Sequence, residues 1–181
     1  MWARLFYALV LGLVGAGIVH VVILFMLPAY SVRDVWTRLS TTAQAYETVV
    51  LSPTVAEGRV PTPRNPFLRA AACRFDLSEG LLHIRATGRV PFWSMAIYDD
   101  HGLNVLSISD RAAAGEDLDV VVASPAQMLA LRREVPAAFA QSVFVESQVE
   151  QGVALVRLFV PDETWSGVAG AFLENMRCEP L

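Results

Sequence analysis

The chain contains no lysine. Its 14 basic residues are all arginine, set against 18 acidic residues, for a net charge of −4. The pI is near 5.3. Nucleic-acid partners favour a basic face, so this balance argues against them. Arginine in place of lysine reads as the codon bias of a GC-rich genome. Histidine and cysteine are scarce too, at three and two residues. His83, His101, Asp99 and Asp100 supply no second ligand pair at set spacing, so no metal centre is expected and Asp99–His101 reads as a solvated turn. There is no G-x-S-x-G elbow, and Ser94 falls mid-strand, which argues against a hydrolase triad with His101. Glu116, Asp117 and Asp119 lack the EF-hand pattern and read as a solvated loop. Gly12, Gly15 and Gly17 run G-x-x-G-x-G with no strand before them, which is not the dinucleotide spacing. Internal repeats and low-complexity tracts are absent. No catalytic residue, cofactor or small-molecule substrate is indicated.

What the chain has is a long apolar run. Leu5 to Leu27 holds 23 residues without a charged side chain. As a helix it is about 34 Å long, enough to cross a ~30 Å hydrocarbon core. Signal peptides usually have an apolar core of only about 7–15 residues, and Ala29-Tyr30-Ser31 is a weak cleavage site. The run therefore reads as an uncleaved signal anchor over 1–30. Trp2 and Tyr7 on one side, with Tyr30 and Trp36 on the other, match interfacial belts. Ala8, Gly12 and Ala16 form a small-residue strip on one helix face, continued by His20. A polar ring at that depth usually faces protein, so the strip is a candidate helix-packing face. A lone span with Gly and Ala by composition is the alternative.

Arg4 and the α-amine lie before the run, Arg33 and Arg38 after it, so charge barely decides orientation. Cys73 and Cys178 help. An even pair in an exported domain reads as a disulfide, here closing a loop of about 100 residues. That favours a cytoplasmic N-terminus and an external domain. Two free thiols in a cytosolic domain is the alternative.

Pro28 is expected to end or kink the first helix. Ser31 and Asp34 have capping-box spacing. Val32, Trp36, Leu39, Ala43, Tyr46 and Val50 then form one apolar stripe, which suits a helix packed on its own domain, on a partner helix, or on the membrane surface. Four prolines and a glycine mark Ser52–Pro66 as a linker. Thus 31–66 is expected to be amphipathic helix and Pro-rich linker, and 67–181 the globular domain. Roughly 115 residues suit one small domain.

Within it, period-two alternation predicts strands over Ala72–Leu77, Leu81–Thr87, Phe92–Asp99, Leu103–Ser109 and Leu118–Ala123. Ser124-Pro125 should start a helix reaching Arg133 or Glu134. Ser142–Val149 and Val153–Val160 suggest a hairpin turning at Glu150-Gln151-Gly152. Asp162 should cap a last helix with Trp165, Val168, Phe172 and Met176 on one face. The expected fold is mainly β (α+β): an antiparallel β-sandwich with about two helices, after an N-terminal transmembrane helix. A ferredoxin-like arrangement is the runner-up. The aromatic residues read as core, although a ligand cavity would use the same types.

Residues 88–104 read GRVPFWSMAIYDDHGLN. Phe92-Trp93-Ser94, then Tyr98-Asp99, Gly102 and Asn104 resemble a motif of bacterial envelope proteins, the family called domain of unknown function twelve fifty-four. The whole chain is similar in layout to its small membrane-anchored members. The resemblance implies a β-rich fold and an envelope location, and it suggests a companion envelope protein of the related family as a candidate partner. With the anchor and the cysteine pair, the expected location is the bacterial inner membrane with a periplasmic domain. It carries over no catalytic residues. A non-catalytic protein-interaction or assembly module is the leading expectation. A binding module for a small apolar or lipid-like ligand is the alternative, and an enzyme ranks below both.

Overall fold

The computed structural model describes residues 1–51, 65–113 and 115–181, without the side chains of 27–38 and 42. Two compact units emerge, Met1–Asp34 and Val35–Leu181.

Helix α1 spans Trp2–Thr42. Within it, Trp2–Met26 has a mean hydropathy of 2.6 and none of it is buried, so by length and composition it suffices to cross a membrane. The helix continues through Pro28 instead of ending there. Proline removes one hydrogen bond of the ladder, and helical turns on either side supply the rest. Ser31 therefore lies inside the helix. The side chains of Ser31, Val32, Asp34 and Trp36 fall outside the described residues, as does most of the Ser52–Pro66 stretch.

The predicted stripe is helical only as far as Thr42. Leu39 and Ala43 are buried, as a helix packed on its own domain requires. Tyr46 then takes a left-handed conformation at φ 64°. Its N–H donates to the Arg74 carbonyl at 2.7 Å and its hydroxyl to the Asp76 carbonyl at 2.5 Å. Burial holds the Tyr46 phenol above its ordinary pKa. The chain reverses there and Thr48–Val50 becomes strand β1 instead of a last helical turn. Three β-branched residues in a row favour that outcome. The sheet thus begins ahead of the Pro-rich stretch, earlier than Phe67.

The strands that follow are β2 (Leu68–Asp76), β3 (Leu82–Ala86), β4 (Trp93–Asp99), β5 (Asn104–Ser109), β6 (Leu118–Ala123), β7 (Val143–Glu146), β8 (Gln151–Phe159) and β9 (Arg177–Pro180). One sheet has the order β1-β2-β8-β4-β5 and the other β7-β6-β3-β9. The described strand pairs are antiparallel except β6 with β7, and an isolated bridge between Ala45 and Arg74 is parallel. Alternate residues of both sheets meet in one core. Phe75, Trp93, Met95 and Val156 come from the first sheet, and Leu82, Ile84 and Val120 from the second.

β7 and β8 do not form the hairpin that their spacing suggested. They belong to different sheets, and residues 147–150 carry the chain between them. Ser147 N–H donates to the Ala123 carbonyl at 2.9 Å, and Leu77 N–H to the Glu150 carbonyl at 2.7 Å. Gly152 then passes so close to its neighbours that an added Cβ would lie 2.5 Å from the Tyr98 carbonyl oxygen and 2.7 Å from Phe75 Cζ. Alternation assigns faces to a strand but does not choose its neighbour.

Helix α2 (Pro125–Leu131) starts in a capping box made by Ser124 and Gln127, and covers the outer face of the second sheet with Met128 and Leu131. Near the C-terminus Asp162 caps a 3-10 turn over Glu163–Trp165, and helix α3 (Ser166–Glu174) follows. Its buried face is Ala169, Phe172 and Leu173, while the expected Val168 is 43% exposed. Three residues at 3.0 per turn instead of 3.6 rotate the face by about 60°.

Cys73 on β2 and Cys178 on β9 are joined in a disulfide with Cα atoms 6.6 Å apart. It ties the two sheets together and closes a loop of 105 residues by sequence separation. In the chain-entropy model a loop of that size is worth about 4.7 kcal/mol. Cys73→Ser with Cys178→Ser should therefore lower the denaturation midpoint of the full chain in detergent by several kcal/mol equivalents, and reductant should do the same to the native chain. An unchanged midpoint would show that the core alone supplies the stability. Gly152→Ala should cost about 1–3 kcal/mol by overpacking in the same assay.

Candidate functional site

The motif residues occupy Phe92 just before β4, β4 itself, the turn after it and the first residue of β5. Trp93 points inward and is 1% exposed, supplying ring volume to the core. Its Nε1 meets no hydrogen-bond partner. Phe92 and Ser94 face the opposite way, as alternation requires. Tyr98 receives a hydrogen bond at its hydroxyl from the Arg157 guanidinium on β8.

Asp99 organises the turn. Its Oδ1 accepts the N–H of His101 at 2.9 Å and of Leu103 at 2.7 Å. The Gly102 N–H donates to the Asp99 carbonyl at 2.9 Å, and Gly102 sits at φ 74°, where a side chain is disfavoured. Asn104 Nδ2 donates to Ser107 Oγ at 2.9 Å. The family-like motif is thus a hairpin signature: a core tryptophan, a cross-strand tyrosine, an aspartate turn and a glycine.

Asp99, Asp100 and His101 offer ligand atoms within 4.8 Å of one another. One oxygen of each carboxylate and one ring nitrogen of His101 are engaged within the turn. Asp99 Oδ1 serves two backbone N–H groups, and Asp100 Oδ1 pairs with His101 Nδ1 at 2.7 Å. An open depression of about 350 Å³ beside them is lined by Asp99, Asp100, Val149, Glu150 and Gln151. His83 is elsewhere, on β3 of the other sheet. There its Nε2 meets Asp119 Oδ1 at 2.9 Å, and Ser142 Oγ donates to the same oxygen at 2.7 Å. His83 and His101 are not brought together. The acidic residues 116–119 also disperse: Glu116 pairs with Arg89 at 2.6 Å, and Asp117 accepts from the Gly88 N–H at 3.0 Å.

Asp76 shares the Asp99 end of the first sheet, since β8 begins between them: Gln151 pairs with Asp76 and Gly152 with Asp99. Hydrogen bonds from Ser78 Oγ and N–H, and from Gln151 Nε2 at 2.7 Å, hold its carboxyl below the ordinary carboxylate range. On the helix, Ala8, Gly12, Ala16 and His20 are all exposed, and a Cβ added at Gly12 would meet nothing within 4 Å. The sequence missed the Arg157–Tyr98 bond and the His83–Asp119–Ser142 cluster. Each joins residues far apart in the chain, and nothing in local spacing marks them.

Residues 46–180 match the model of a family described as "Protein of unknown function (DUF1254)". The chain belongs to this family. The DUF1254 match starts at Tyr46, the residue that turns the chain into β1. No curated protein matches the chain. Among solved structures, the DUF1254 chain is similar to the VPA0106 protein from Vibrio parahaemolyticus, with a TM-score of 0.55 at 15% identity. That match covers 84% of this chain and 36% of the other, so the chain spans about a third of its neighbour's length. An uncharacterized protein from Burkholderia cenocepacia is similar at 14% identity and a TM-score of 0.48, covering 82% of this chain and 41% of that one. At 15% identity the likeness to the Vibrio protein concerns the fold alone.

Asp99→Ala removes two side-chain hydrogen bonds from the turn and should cost about 1–3 kcal/mol. Gly102→Ala should cost about 1–2 kcal/mol for the left-handed backbone. Both are read from denaturation midpoints of the full chain in detergent. Asp76 predicts an acid dependence. A carboxyl held below its unfolded value, which is about 3.9, contributes stability above that value. The contribution disappears as pH falls through the depressed folded value. The midpoint difference between native chain and Asp76→Asn should accordingly shrink to nothing in acid, and a pH-independent difference would contradict the assignment.

Proposed function

We propose that this protein is a single-pass bacterial envelope protein whose DUF1254 domain is a non-catalytic interaction module held at the inner membrane, N-terminus in the cytoplasm and domain in the periplasm. The observation that carries the reading is the pairing of an uncovered apolar helix with a disulfide-tied sandwich on one chain. The helix supplies an address. The disulfide suits an oxidising compartment. The Ala8, Gly12, Ala16, His20 face offers a partner helix a close approach. A companion envelope protein of the related family is the partner that this reading names.

Interior packing supports a module without an enclosed ligand site. Phe75, Trp93, Met95 and Ile97 fill the space between the sheets at 0–2% exposure. A small apolar ligand would need that volume. The titratable groups support the same side, because the turn carboxylates and His83 are engaged in structural hydrogen bonds on separate sheets.

Affinity recovery from membranes in mild detergent, followed by mass spectrometry, tests the proposal. A second envelope protein should co-purify in stoichiometric amount, and Gly12→Leu should deplete it. A clean monomer from native membranes would overturn the interaction reading. Unchanged recovery with Gly12→Leu would move the contact away from that helix face.

A further inference from the structure

Among the described residues the two sheets end in four edge strands, β1 and β5 on the first and β7 and β9 on the second. An edge strand carries a row of unpaired N–H and C=O groups, and proteins blunt such rows with short strands, charge or proline. Three of the four are blunted in this way. β1 has three residues. β7 has four and ends in Glu146, which pairs with Arg132 at 3.8 Å. β9 has four, reading RCEP, with two charges and a proline. β5 is six residues long and reads NVLSIS, with neither charge nor proline. Its register with β4 skips Val105, and from Leu106 to Ser109 the pairing is regular.

The two ends of β5 are complementary. Before it come the turn carboxylates Asp99 and Asp100, and Leu103, which is 66% exposed. After it comes Arg111, which is exposed and makes no ion pair among the described residues. Its neighbour Asp110 keeps one carboxylate oxygen buried. An open depression of about 570 Å³ lies at this end, lined by Ser94, Ser107, Ile108, Ser109, Arg111 and Ala112. Leu103 and Arg111 stand four residues to either side of Ser107. Two copies of β5 paired antiparallel about a two-fold axis at Ser107 therefore set each Leu103 opposite the other copy's Arg111. The apolar side chain meets the depression, and the guanidinium meets the turn that carries Asp99 and Asp100. Symmetry makes the same contact twice. Parallel pairing would instead set Arg111 beside Arg111 and one acidic turn beside the other.

We propose that β5 is a homodimer seam: a second copy of this chain adds its own β5 antiparallel, and the two first sheets run on as one. The seam lies within the domain. It goes beyond the helix-face contact of Ala8, Gly12, Ala16 and His20, and it needs neither that face nor the membrane span. Backbone pairing supplies the adhesion, and the end charges set the orientation. One strand per copy is small beside a standard interface, so the dimer is weak and concentration-dependent.

The test uses the full chain in detergent with one added cysteine, Ser107→Cys, and a short bis-maleimide. Both native cysteines are in the disulfide, so the added thiol is the one that reacts. Leu129→Cys, on α2 over the other sheet and 58% exposed, is the control. A denaturation midpoint like the parent's shows that each variant has folded. Cross-linked dimer should form at Ser107→Cys and not at Leu129→Cys. Adding Arg111→Asp sets carboxylate against carboxylate, and should raise the concentration for half-maximal cross-linking about tenfold at low salt. Combining it with Asp100→Arg should restore the parent's value. No dimer at Ser107→Cys, equal yields at the two sites, or a yield that charge reversal leaves unchanged would each overturn the proposal. Loss of the dimer with Gly12→Leu and not with Arg111→Asp would place the contact on the helix face, overturning the seam and leaving the interaction reading in place.

Discussion

The domain depends on burying the inward row of each sheet against the other. Trp93, Met95 and Ile97 of β4, with Val156 and Leu158 of β8, meet Leu82, Ile84, Val120 and Val122 from the opposing sheet. Each strand contributes only a few apolar side chains, and the stabilisation is collective. Because side chains alternate, fixing the inward row fixes the outward one as well. Everything on the outer faces, the covering helices included, is placed by that single contact. The Cys73–Cys178 bond reinforces the same contact covalently, joining β2 near one edge of the first sheet to β9 at the edge of the second.

The family-like motif is explained by this arrangement as a set of structural contacts. Its tryptophan fills the core, its tyrosine ties β4 to β8, and its aspartate and glycine close the turn into β5. In this chain these residues build the hairpin, and their contacts are structural.

Much of the fold was legible in the sequence. The alternation of Phe92–Asp99 marked a strand, and Ser124-Pro125 marked a helix start. Both signals are local, carried by side-chain period and cap chemistry. Elements whose identity depends on a distant partner were not legible. Thr48–Val50 continued a helical stripe and became a strand, because Tyr46 found the carbonyls of Arg74 and Asp76. Arg177–Pro180 pairs with β3, almost a hundred residues earlier in the chain. β7 lies parallel to β6 instead of turning back on β8. The candidate site followed the same division. Asp99 and Gly102 could be read as a turn, whereas Arg157 as the partner of Tyr98 and Asp119 as the partner of His83 could not.

The sequence by itself determined the apolar length of the first helix, the period-two strands, the capped helices and the family motif, since each depends on neighbours within a few residues. It also presented the two cysteines as a pair. Tertiary structure alone decided which strands are neighbours, which sheet each joins, and that β5 stands at an edge. Strand alternation specifies a face and carries no address, and only the mutual burial of two such faces assigns the order of the strands and the chemistry gathered at their ends.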